Sequence, residues 1–158
     1  MPYAKRTPAG TALTGFILDL FRLSNRLLAS GDRLVASLGL TSARWQVLGS
    51  IVAAKQPQPV AWLARDMGAN RQNIQRIVND LQREGLVAFR ANPHHRRAQL
   101  VVLTEKGQQT FDTAMRVQAP WINMLSKGLQ VSDLKTTHTI LTALRKKLEE
   151  DREAGGQE

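Results

Sequence analysis

The 158 residues contain no cysteine. That removes disulfides, thiolate metal ligands, cysteine nucleophiles and thiol-based redox sensing together, and it fits a reducing cytoplasm. Aromatic residues are also scarce, at 5%, which counts against a protein that stacks unpaired RNA bases on exposed rings. No apolar run approaches the roughly 20 residues a spanning helix needs. The opening MPYAKRTPAGTALTG has no apolar core of the kind a secretion signal carries. Catalytic signatures are missing as well. Gly10 and Gly15 precede no Lys-Ser pair, there is no G-x-S-x-G or H-E-x-x-H, and the acids are scattered rather than paired. We therefore expect neither an enzyme nor a bound cofactor.

What is present is positive charge, with a formal net charge of +9 and a pI near 10.8. Arginine outnumbers lysine about two to one, and the guanidinium fork suits phosphate and guanine edges. Charge alone says only that the partner is a polyanion. The hydrophobic fraction of 42% is that of a soluble globular chain of one domain's length.

Pro2, Lys5, Arg6, Pro8 and Gly10 read as a flexible basic arm over residues 1–12. Leu13, Phe16, Ile17, Leu20, Leu23, Leu27, Leu34, Val35 and Leu38 then recur at three- and four-residue steps, predicting one long amphipathic helix stopped by Gly39, with Gly31 as a weak point. Thr41 or Ser42 caps a second helix whose stripe is Trp45, Leu48, Ile51 and Val52. After KQPQP, Pro59 opens a short helix with Val60, Leu63 and Ala64 inward, and Gly68 ends it. Asn70 caps the next, which places Ile74, Ile77, Val78 and Leu81 inside. LVAFRA and AQLVVLT flank the turn NPHHRR as a hairpin. Thr104 caps a helix carrying Phe111, Met115, Ile122 and Leu125, kinked at Pro120. Ser132 caps the last, with Leu134, Leu141, Leu144 and Leu148 on its stripe and His138 among them, before a disordered tail over 151–158. The fold class is mainly α with a small β-hairpin: a short helix, a glycine turn, a second helix and a basic wing.

The second helix of that unit carries the chemistry. Asn70, Arg71, Gln72, Asn73, Gln75, Arg76 and Asn79 lie on its outer face or at its start, with no acid before Asp80. Arginine pairs in two-pronged fashion with guanine, and glutamine and asparagine with adenine, in the major groove of duplex DNA. An ordinary solvated face would intersperse glutamate with lysine. Asn70 alone reads equally as a cap. In the wing, His94, His95, Arg96 and Arg97 crowd one turn, and arginine is drawn to the negative potential of a narrow minor groove. A bare charged hairpin tip is the plain alternative, and its place after the helix pair decides against it. Adjacent histidines without a third ligand make no metal site. Since histidine changes charge near neutral pH, the pair is expected to make wing affinity pH-sensitive.

LTSARWQVLGSI, PVAWLARDMGANRQNIQRIVNDLQREGLV and NPHHRRAQLVVLTEKG together resemble the MarR (multiple antibiotic resistance regulator) transcription factors, in order and over roughly residues 13–148. The resemblance implies a winged helix-turn-helix lobe at 41–104 and a helical dimerisation domain from 13–40 and 105–150, with Leu13, Phe16, Ile17, Leu134, Leu141, Leu144 and Leu148 in the dimer contact. It implies a homodimer on a pseudo-palindromic operator. Repression is the commoner outcome, relieved by a small phenolic or lipophilic effector in a crevice between lobes. Leu20, Ser24, Trp45, Leu48, Phe111 and Met115 are the candidates to line that crevice, and each reads equally as core. The family wing pattern D-x-R-D-x-R is here Asn92, Pro93, His94, His95, Arg96, Arg97. Only Arg97 matches, so the acid–base pair that would brace the tip lacks its acids. The rival reading is a winged helix kept for protein contacts without DNA binding. Such a module would tolerate Glu at Gln72 and Gln75.

Overall fold

A computed structural model describes residues 4–155. Six helices and three strands follow one another as α1 (Pro8–Val35), α2 (Ser42–Ala53), β1 (Gln58–Pro59), α3 (Val60–Asp66), α4 (Arg71–Arg83), β2 (Val87–Arg90), β3 (Leu100–Leu103), α5 (Glu105–Leu125) and α6 (Val131–Gly155). The chain divides into two compact units, Met1–Ala119 and Pro120–Glu158. No helix among the described residues is long and apolar enough to cross a membrane.

The first unit holds the core: Val35, Leu40, Val47, Leu48, Val60, Leu63, Ala64, Ile74, Ile77, Val78, Leu81, Leu86, Val87, Val101 and Ala114. The predicted inward set of α4 is buried in full. In α2 the stripe is rotated from the expected one, since Val47 is fully enclosed and Val52 lies 41% exposed. Trp45 and Ile51 pack only part-way into the core.

α1 starts earlier than the sequence suggests. The Thr7 hydroxyl accepts from the Gly10 amide and Pro8 occupies the first turn, so residues 8–12 are helical rather than part of an arm. A proline there is a start signal, because its missing N–H is one the helix leaves unpaired anyway. Pro2 lies outside the described residues. Gly31 does not interrupt the helix. It is buried where α2 begins, and a Cβ on it would overlap the Ser42 hydroxyl. That hydroxyl donates to the Leu28 carbonyl at 2.7 Å, and the Ser42 amide donates to Asp32 Oδ1 at 2.7 Å. Thr41, not Ser42, caps α2 through the Arg44 amide.

The hairpin forms in the register Val87↔Leu103 to Arg90↔Leu100. A third strand was not foreseen: Gln58 and Pro59 pair antiparallel with Val101 and Leu100, giving the order β1-β3-β2. Two residues carry no periodicity to read, and proline fits a sheet only at its edge. Gly39, Gly68 and Gly85 each take positive φ after a helical turn, as helix-stopping glycines do.

Thr104 ties the end of β3 back to the turn after α4. Its amide donates to the Leu86 carbonyl at 3.1 Å and its hydroxyl to the Gly85 carbonyl at 2.6 Å. The same hydroxyl accepts the Gly107 amide at 3.0 Å, capping α5. Lys106 Nζ donates to the Glu84 carbonyl at 2.8 Å. Gly107 sits so close that a Cβ would collide with the Leu86 carbonyl.

α5 runs on through Pro120, and the boundary between the two units falls at that residue. α6 begins at Val131, one residue before the expected Ser132 cap, with the Gln130 carbonyl accepting the Leu134 amide. It continues to Gly155, so residues 151–155 are helical where a disordered tail was expected. Arg145–Glu149 at 3.7 Å and Lys146–Glu150 at 3.9 Å are spaced to support its last turns. The last three residues lie outside the described part. No residue of α6 is buried within the single chain, and His138, expected as a core or interface histidine, is exposed there and so is not part of the core.

Replacing Gly107 with alanine forces the Leu86 carbonyl to move, an overpacking that costs about 1–3 kcal/mol. Urea unfolding of the Gly107→Ala variant is expected to show that loss, with Gly15→Ala, inside α1 and meeting nothing within 4 Å, as a control that gains up to about 1 kcal/mol from helix propensity.

Candidate nucleic-acid interface

α4 presents two chemically separate faces. Opposite the buried Ile74, Ile77, Val78 and Leu81, the residues Arg71, Gln72, Asn73 and Arg76 are exposed and Gln75 is half-buried. Asn70 precedes the helix as its cap, its side chain accepting the Asn73 amide at 3.1 Å. Within the face, Gln75 Nε2 donates to Asn79 Oδ1 at 3.0 Å and Arg76 Nη2 to Asn73 Oδ1 at 2.8 Å. These bonds orient amides and guanidinium along the helix surface without hiding them.

Nine Lys and Arg residues against three Asp and Glu lie between positions 41 and 104, so this stretch supplies +6 of the chain's +9. Two of those three acids are already engaged. Arg44 Nη1 donates to Glu84 Oε1 at 2.7 Å, and Arg44 Nη2 stands 3.9 Å from Asp80 Oδ2. Arg83 also hydrogen-bonds Asp80. Sequence reasoning missed Arg44. Its signal was there: a cation in the first turn of α2 opposes the helix dipole and calls for an acid from elsewhere.

The wing comprises the residues between β2 and β3. His94, His95, Arg96 and Arg97 are all exposed. Asn92 takes over the bracing that the missing acids would have supplied. Its Nδ2 donates to the Ala98 carbonyl at 2.9 Å and its Oδ1 accepts the His94 amide at 3.0 Å. The His95 amide donates to the Asn92 carbonyl and the Ala98 amide to the His95 carbonyl, at 3.3 and 3.1 Å. The tip is thus held by an amide side chain rather than by an ion pair. No cluster of three or more metal-ligating side chains occurs among the described residues.

Helix and wing meet across a cleft of about 220 Å³. Arg71, Gln75 and Asn79 line it from α4, Arg97 and Gln99 from the wing, and Pro59, Val60 and Ala61 from the start of α3. The structure therefore brings one cation from each predicted group, Arg71 and Arg97, to one concave surface, while Arg76, His94, His95 and Arg96 lie outside its lining. Gln99 and Asn79 join them, the first of which sequence reasoning did not single out.

The other candidates are distributed differently. Leu48 is fully buried in the core and Trp45 and Phe111 pack against it, while Leu20 is half-buried, Ser24 exposed and Met115 39% exposed. Of the candidate dimer residues, Leu13, Phe16, Leu141 and Leu144 are half-buried, and Ile17, Leu134 and Leu148 are exposed.

A helix pair joined by a glycine turn and followed by an antiparallel hairpin defines a winged helix-turn-helix protein. The sequence model of the MarR family matches residues 38–98. The uncharacterized protein Rv2011c of Mycobacterium tuberculosis is 35% identical over 79% of this chain and 86% of its own length. The transcriptional activatory protein BadR of Rhodopseudomonas palustris is 29% identical over 77% of this chain and 70% of its own. Among solved structures, the transcriptional repressor CouR bound to a 23-mer DNA duplex superposes with a TM-score of 0.71 at 23% identity, covering 90% of this chain and 99% of that one. CouR from Rhodococcus jostii RHA1 bound to p-coumaroyl-CoA gives 0.72 at 22% identity, over 83% and 90%. The chain belongs to the MarR family of transcription regulators.

Removing the Asn92 side chain is expected to loosen the wing tip alone. In Asn92→Ala, hydrogen exchange at the His94 amide should quicken by about fivefold or more, the scale of a lost hydrogen bond. The thermal midpoint should hardly move.

Proposed function

We propose that this protein is a sequence-specific regulator that binds double-stranded DNA as a homodimer on a pseudo-palindromic operator. The observation that carries the reading is the exposed, acid-free strip of Arg71, Gln72, Asn73 and Arg76, facing away from a buried apolar stripe, with Arg71 sharing a cleft with Arg97 of the wing. Bidentate side chains on a helix that fits the major groove supply base choice. Arg97, Arg96, His94 and His95 supply phosphate and minor-groove contact, whose strength falls with salt.

Residues 41–104 form the DNA-binding lobe in this reading, and 13–40 with 105–150 the dimerisation domain. Support for the dimer comes from apolar side chains that one copy leaves in water: Ile17, Phe21, Leu125, Leu134, Ile140 and Leu148 are each at least 36% exposed. Half-sites then lie about 34–36 Å apart, one turn of DNA.

Repression, relieved by a small lipophilic or phenolic effector, is the regulatory sense we propose. CouR has been solved both as a repressor on DNA and as a complex with p-coumaroyl-CoA. BadR, at 29% identity, is an activatory protein, and a reporter driven by the selected operator distinguishes the two. Action in the cytoplasm accords with this role.

Selection of duplexes from a random pool is expected to return a two-fold symmetric site, and sedimentation a dimer. Recovery of no duplex at low salt, or a monomer that binds as well as the dimer, would refute the reading. Arg76→Ala should then cost about 1–3 kcal/mol at one base position and relax choice there. Arg97→Ala should weaken all duplexes alike and lower the salt slope by about 1.

A further inference from the structure

Asp80 stands where the outward face of α4 stops being free of acid. Its side chain is 20% exposed, and three guanidinium groups surround it. Arg83 hydrogen-bonds its Oδ1, while Arg44 Nη2 and Arg76 Nη1 lie 3.9 and 4.0 Å from Oδ2. Arg44 has a firmer partner in Glu84, at 2.7 Å, and the link between α2 and α4 runs through that pair. On its own helix the charge of Asp80 falls on Arg83 and Arg76, whose side chains are 75% and 68% exposed.

Arg76 is held from both sides. Asn73 Oδ1 accepts its Nη2 at 2.8 Å from one turn before, and Asp80 attracts its Nη1 from one turn after. An untethered exposed arginine swings freely and will take any phosphate within reach. One drawn along the helix surface between an amide and a carboxylate keeps a direction and presents less net charge. Specificity is a difference of affinities, and weakening the wrong complex raises it as surely as strengthening the right one.

We propose that Asp80 is a positioning residue that sets sequence discrimination: it restrains Arg76 and Arg83, lowering the attraction of α4 for phosphate of any sequence while keeping Arg76 aimed at a base edge. This rests on the DNA-reading role proposed above.

The test uses the full chain, wild type and variant, on two probes. One is the duplex that the wild type recovers from a random pool, the other a random-sequence duplex of equal length. Asp80→Asn is expected to bind the random duplex about fivefold more tightly, the scale of an exposed charge pair. The slope of log K against log salt should steepen by about 0.9, one further phosphate neutralised. The ratio of selected to random affinity should fall by about the same fivefold factor. Asp80→Glu should restore most of that ratio. In an Arg76→Ala background, Asp80→Asn should leave the ratio within about twofold, and the thermal midpoint should be unchanged throughout.

Equal shifts on both duplexes, an unchanged salt slope, or the same loss of ratio in the Arg76→Ala background would each overturn the proposal. A wild type that retains no duplex from the pool overturns the DNA reading and this inference with it. A wild type that selects a site, paired with an indifferent Asp80→Asn, overturns the inference alone.

Discussion

The junction around Thr104 fixes the geometry of everything that faces outward. One threonine links the turn after α4, the end of β3 and the first turn of α5 through its amide and its hydroxyl. Gly107 lets the α5 backbone lie directly against the Leu86 carbonyl. The end of α4 and the root of the wing are therefore fastened to one another by one backbone bond and one short side chain, with Lys106 adding a third tie to the Glu84 carbonyl. Ties this short have few ways to adjust, so the angle between helix and hairpin is set here.

On that rigid frame the charges are sorted by position. Glu84 pairs with Arg44 at the helix end, Asp80 lies among Arg44, Arg76 and Arg83, and the outer face begins with amides and guanidinium groups that bond among themselves. Such bonds between exposed groups are individually weak. Their consequence is directional: they reduce the conformations that must be given up when a partner arrives. The wing follows the same economy, since Asn92 organises four exposed cationic or titratable neighbours through backbone contacts and leaves their side chains unspent.

Much of this was legible from periodicity. The two faces of α4 follow from the spacing of Ile74, Ile77, Val78 and Leu81, and the hairpin from β-forming stretches on either side of NPHHRR. The stops at Gly39, Gly68 and Gly85 follow from the need for positive φ. What escaped was fixed by contacts distant in sequence. Gln58 and Pro59 become a strand only because Leu100 and Val101 are beside them. Val47 replaces Val52 in the core because α2 is turned by packing, which its weak amphipathic pattern could not foretell. Pro8 and Gly10 read as breakers until Thr7 is seen capping the helix that contains them. The replacement of an acid by Asn92 looked like a lost brace, and only the bonds to Ala98 and His94 show that an amide fulfils the task.

The small sheet carries one further implication. Its β1 edge is two residues long and ends in Pro59, which has no N–H to lend to an additional strand. Its other edge, β2, is four residues long and finishes in an exposed arginine. Short borders closed by an imino acid and a cation are poor templates for edge-to-edge growth. However densely copies of this molecule are crowded together, the sheet gives them little means of polymerising.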